Sequence, residues 1–219
     1  GQRDSAAADW LFRQREIIVR NGAVRWSDEL AAKNGPDSLA APEPLSLSQV
    51  DVVIRNSSRL HEWRVDATPP EGWGERFAVM GRFRRSLLST HAGRWTDWSG
   101  QTYAFFPHVD VRQLRQHLHV QAQVDSGQGG LRMWSDFRKG QWVGGALDMQ
   151  LQNVRTTLGP GLQPLVFDRL SGRLSGQSDA AGWSVATREL AFDTPQGLSW
   201  QGGQASLRYT YPLLMASEC

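Results

Sequence analysis

Leu45-Ser46-Leu47-Ser48-Gln49-Val50-Asp51-Val52-Val53-Ile54-Arg55-Asn56-Ser57-Ser58-Arg59-Leu60-His61-Glu62-Trp63-Arg64-Val65-Asp66-Ala67-Thr68 is two alternating runs joined by a polar turn. In the first run Val50, Val52 and Ile54 fall on one side, and Gln49, Asp51 and Arg55 on the other. In the second, Trp63 and Val65 oppose Glu62, Arg64 and Asp66. A period of two is that of a pleated strand, whose successive side chains point to opposite faces. Asn56-Ser57-Ser58-Arg59 has turn chemistry, so the stretch predicts two antiparallel strands of a meander.

Working outward, Phe77, Val79, Gly81 and Phe83 alternate with Arg76, Ala78, Met80 and Arg82, which adds a third strand before Arg84-Arg85. Upstream, Ile17 to Trp26 places Asn21-Gly22 between two strand-like runs. Both residues tolerate positive φ, so the dipeptide predicts a hairpin tip. Asp4 to Arg13 carries an N-cap candidate and an alanine run, and reads as a short helix. Residues 29–44 hold Asn34-Gly35-Pro36 and Pro42-Glu43-Pro44 and read as a loop.

Downstream, Trp95 to Gly100 precedes Tyr103-Ala104-Phe105-Phe106-Pro107, a strand expected to close at the proline. Asp110 to Leu118 has a capping aspartate and leucines four apart, the pattern of a second short helix. Leu131 to Arg138, a Lys139-Gly140 turn and Gln141 to Val154 form a hairpin, with Val143, Leu147, Met149 and Leu151 on one face. Leu165 to Leu174, Trp183 to Phe192 and Leu198 to Tyr209 are further strands, separated by 176–179 and 194–197.

The expected fold is mainly β: a twisted antiparallel sheet of nine or ten strands, curved and groove-like or partly layered, with two short helices. The domain reading is one segment, 1–219, with a possible subdivision near 84–126.

The chain has 219 residues and a formal charge of +2, with its arginines scattered among the strands. That excludes the concentrated basic stripe of a nucleic-acid binder. The single cysteine, Cys219, permits neither an internal disulfide nor a thiolate zinc site. The chain opens Gly1-Gln2 without an apolar run long enough to span a membrane, and reads as a segment whose targeting and anchoring sequences lie outside it. Ten tryptophans suit broad half-buried sheet surfaces, and 22 glycines suit turns and bends.

Several phrases in order resemble the central region of the YhdP-type, AsmA-like proteins of Gram-negative envelopes. They are Asp9-Trp10-Leu11-Phe12-Arg13-Gln14-Arg15-Glu16-Ile17, Val24-Arg25-Trp26-Ser27-Asp28-Glu29, Ala67-Thr68-Pro69-Pro70, Trp98-Ser99-Gly100-Gln101-Thr102-Tyr103-Ala104, Gly127-Gln128-Gly129-Gly130-Leu131-Arg132-Met133-Trp134 and Leu170-Ser171-Gly172-Arg173-Leu174. The resemblance implies a periplasmic segment of an inner-membrane-anchored protein whose strands curl into an apolar groove. It also implies a role in phospholipid transport to the outer membrane and in the permeability barrier. No catalytic residue and no cofactor come with it.

An apolar sheet face can shelter acyl chains, and the candidate lipid-contacting residues are Val52, Ile54, Trp63, Val65, Leu147, Met149 and Leu151, each from an alternating apolar set. Periodicity alone favours an ordinary core covered by the helices or a second layer, because amphipathic strands are generic, and the family resemblance brings the two readings level. The implied partner is a phospholipid or other acyl-chain ligand. A carbohydrate-binding β module using exposed tryptophans is the alternative, and a hydrolase is a more distant one.

His108, His117 and His119 have no cysteine or carboxylate cluster to complete a metal shell, and on a helix His117 and His119 diverge. A terminal Cys219 has no organised base. Glu62 and Asp66 suggest a glycosidase pair only if their carboxyls meet the required separation, and alternation with Arg64 fits a polar strand face. Gly127, Gly129 and Gly130 lack the complete dinucleotide fingerprint and are read as permitting a bend or bulge.

Overall fold

The computed structural model describes residues 6–26, 45–86, 93–113, 124–157 and 161–211. After helix α1 (Ala6–Arg13), the chain runs through β1 (Glu16–Trp26), β2 (Leu45–Asn56), β3 (Leu60–Thr68), β4 (Phe77–Arg85), β5 (Trp98–Asp110), β6 (Val124–Arg138), β7 (Gln141–Thr156), β8 (Leu165–Asp179), β9 (Gly182–Asp193), β10 (Ser199–Gln201) and β11 (Ala205–Thr210). Each strand from β1 to β9 pairs antiparallel with the next, and β11 pairs with β9 as β10 does. The result is one open sheet of eleven strands.

The alternating stretch behaves as its period dictates. Val52 lies opposite Val65 and Ile54 opposite Trp63, so their side chains share a face; Val53 opposes Arg64 and Arg55 opposes Glu62 on the reverse. Lys139 and Gly140 both have positive φ and close the β6–β7 hairpin. A register shift between Asp136 and Phe137 breaks the alternation near Val143, and Trp142 is the residue opposite Phe137.

Four sequence expectations are corrected. Asn21-Gly22 is no hairpin tip: β1 continues through it and pairs with β2 on both sides. Asn21 has φ 50° at a register shift between Val19 and Gly22, and its N–H donates to Asp51 Oδ1 at 2.9 Å. Positive φ serves a bulge as well as a turn, and the partner strand decides between them. Pro107 does not end β5; it sits in the register shift between Phe106 and Val109, where no ladder N–H is needed.

Residues 176–179 lie inside β8, and Asp179 Oδ1 accepts from the N–H groups of Ala181 and Gly182 at the true turn. Leu198 to Tyr209 is two strands, both on β9, which has a register irregularity around Glu189 (φ 52°).

The first helix forms as expected. Of the second, helical backbone is present at 111–113, where Asp110 Oδ1 accepts from Arg112 N–H at 2.9 Å; the rest lies outside the described residues, as does the 29–44 loop.

Burial is sparse. Among the described residues nine apolar side chains are buried, while eighteen large ones are exposed, the balance of a single layer with one greasy face. The buried cluster Met149, Leu151 and Val154 is packed by Val111, Leu131, Phe167, Leu170, Leu174 and Leu190.

Candidate functional site: an apolar sheet face

Opposed residues in a ladder share a face, so the pairings trace an apolar row across the strands. Val19 faces Val52, which faces Val65, then Val79, Ala104, Met133, Leu147 and Leu174. Eight consecutive strands thus each place an apolar side chain in line. At about 4.8 Å per strand, Val52 and Leu147 stand about 24 Å apart along it. Ile54 and Trp63 occupy the adjacent row, where Gly81 lies opposite Trp63.

All seven sequence-selected residues therefore lie on one face of one sheet. They do not share one environment. Val52, Ile54, Trp63, Val65 and Leu147 are half-buried, whereas Met149 and Leu151 are buried in the cluster under Val111. Val19, Val79, Ala104, Met133 and Leu174 complete the row; only the pairing partners of each strand single them out.

The reverse face is charged. Arg55 pairs with Glu16 at 2.8 Å, Arg64 with Asp66 at 2.7 Å, Arg76 with Asp51 at 2.8 Å, Arg82 with Glu62 at 3.2 Å, Arg169 with Asp193 at 2.9 Å and Arg173 with Asp148 at 3.4 Å. Hydrogen bonds from Arg64 hold the Asp66 carboxyl below the usual range, and the Ser199 hydroxyl with Arg169 does the same for Asp193. Glu62 and Asp66 are four residues apart on one strand, about 13 Å, beyond the roughly 5–9.5 Å of a glycosidase pair.

The apolar face is walled at both strand ends. At one end α1 sets Phe12 edge-on against His61 and Trp98, at centroid distances of 5.4 and 4.6 Å. His61 is buried, and Phe83 packs tilted against Trp98 at 5.9 Å. Burial, with the Arg85 charge, pushes the His61 pKa down. At the other end the 70–75 turn crosses the strand ends: Glu75 N–H donates to His108 O at 2.9 Å and Asp110 N–H to Trp73 O at 2.8 Å. Val111 covers the adjacent cluster.

His61 and Trp98 were missed as a unit because they are 37 residues apart and carry no motif. His108 is an exposed residue of β5, while His117, His119 and Cys219 lie outside the described residues. Among the described residues no three His, Cys, Asp or Glu side chains cluster as a metal site would require, and no helix is long and apolar enough to cross a membrane. Gly127 (φ 155°) lies at the register shift between Ser126 and Gln128, the bulge its run suggested.

No curated protein and no solved structure matches the chain. The family model described as YhdP protein matches residues 1–213, nearly the whole of it. The chain belongs to the YhdP family.

Proposed function

We propose that this chain is a non-enzymatic segment of a periplasmic, inner-membrane-anchored protein that supports phospholipid transport to the outer membrane and so the envelope permeability barrier. Its apolar face shelters acyl chains in transit, and its charged reverse face meets water. The observation that carries this reading is the eight-strand apolar row, open between the two end walls while all six ion pairs named above lie on the other side.

Each methylene removed from water is worth roughly 0.8 kcal/mol, so a row of this length holds a long chain without any polar contact. Family membership supports the same reading at the level of envelope lipid transport. Met133, Trp142 and Val185 are exposed apolar side chains of the same face, surface that an acyl chain can cover.

Photocrosslinking amino acids placed in the full-length protein at Val52 and Leu147, and at Arg82 and Arg169 on the reverse, test it. Lipid adducts are expected at the first pair and absent from the second. Equal labelling of both faces, or none, refutes it.

A further inference from the structure

Beside the central row, against the wall formed by the 70–75 turn, lies a hollow of about 210 Å³. Its floor is Leu45, Leu47, Phe77 and Phe106; Trp73 and Val109 help close it. Phe77 opposes Ala67, and Phe106 lies two residues beyond Ala104, so the floor belongs to the apolar face and the hollow opens from it. The two phenyl rings stack at 5.1 Å.

The closing turn is tied down rather than draped. Gly74 bridges Val109, with φ 147°, and a Cβ there would collide with His108 O. The backbone of Glu75, Trp73 and Asp110 is committed to the hydrogen bonds given above.

The geometry points to this hollow as a dead-end seat for the methyl end of a single acyl chain, a side branch of the track; this rests on the lipid reading of the face. Three observations select that occupant. Among the described residues no Arg or Lys lines the hollow, whose polar residues are Glu75, His108 and Gln113, so no guanidinium or ammonium faces an anionic headgroup there. A cavity of about 150 Å³ lined by Leu, Ile and Phe takes up benzene, so a hollow of this size fits one hydrocarbon end and not two tails. The tied-down 70–75 turn stands across one side of it, so a chain that enters from the row ends against that turn, whereas the central row continues across the strands.

The test uses the 219-residue chain with phosphatidylethanolamine vesicles carrying an analogue whose diazirine sits at the methyl end of one acyl chain, or an isomer with the diazirine beside the carboxyl. After irradiation, labelled peptides are mapped by mass spectrometry. The methyl-end probe is expected to label 69–77 and 104–110, and the carboxyl-end probe the central row around Val52 and Leu147. Leu47→Trp, or Leu45→Trp should the first variant melt early, fills the hollow and should cut its labelling several-fold while labelling of the row persists.

Equal labelling of the hollow by both isomers, or methyl-end labelling confined to the row, overturns the seat and leaves the lipid face standing. Absence of label from row and hollow alike brings down the lipid reading itself.

Discussion

The His61 imidazole lies stacked on the Trp98 indole, with ring centroids 4.5 Å apart and planes 10° from parallel, and this pair anchors α1 to the sheet. Asn56 Nδ2 donates to Leu11 O at 3.3 Å and Gln14 O at 2.7 Å, which turns its Oδ1 toward His61 Nδ1 at 2.8 Å. Nδ1 therefore carries the proton, and buried Nε2 has no partner among the described residues.

Protonating Nε2 would create a buried N–H with no acceptor, close to Arg85. The folded pKa lies below the ordinary value of about 6.5, so below that pH the unfolded chain binds a proton that the folded chain resists. Thermal midpoints should accordingly be flat above about pH 7 and fall as pH drops toward 5. His61→Gln should flatten that fall; an unchanged pH slope in the variant would show that His61 is not its source.

Asn56→Ala removes both hydrogen bonds to the α1 C-terminus and orphans His61 Nδ1. A loss of roughly 1–3 kcal/mol is expected. An eight-residue helix has little stability of its own, so α1 amides should exchange faster while those of β6 and β7 keep their protection. Hydrogen exchange by mass spectrometry reads both.

Leu147→Asp and Met149→Asp should part company, although the two residues point to the same side of β7. Leu147 is half-buried in the open row, so a carboxylate there hydrates, the fold survives and lipid crosslinking drops. Met149 is 8 % exposed inside the cluster with Leu151 and Val154, and a charge there costs several kcal/mol. Urea melts of the two variants give the comparison.

Gly81 lies beneath the Trp63 indole: a Cβ on it would stand 2.5 Å from Trp63 Cε2. Gly81→Val should therefore displace the ring and cost roughly 1–3 kcal/mol. In Trp63→Ala the same valine should cost much less, and a double-mutant cycle in denaturant melts measures that coupling.

The sequence determined the class of the fold and which side of most strands is greasy. A pleat has a fixed period of two, so Val52 and Ile54, or Trp63 and Val65, must share a face wherever the strand goes. It determined the Lys139-Gly140 turn for the same local reason. Asn21-Gly22, with similar chemistry, became a bulge because β2 offered Asp51 and a ladder on both sides, and no property of residues 17–26 specifies what lies across the gap. Only the tertiary structure aligned Val52 with Leu147 in one row, since that depends on the accumulated register of five strand pairs, three of which carry register shifts that can reset it. It alone separated buried Met149 from half-buried Leu147, two residues apart on the same face, because the difference lies in what covers them, and Val111 is 38 residues away in the chain.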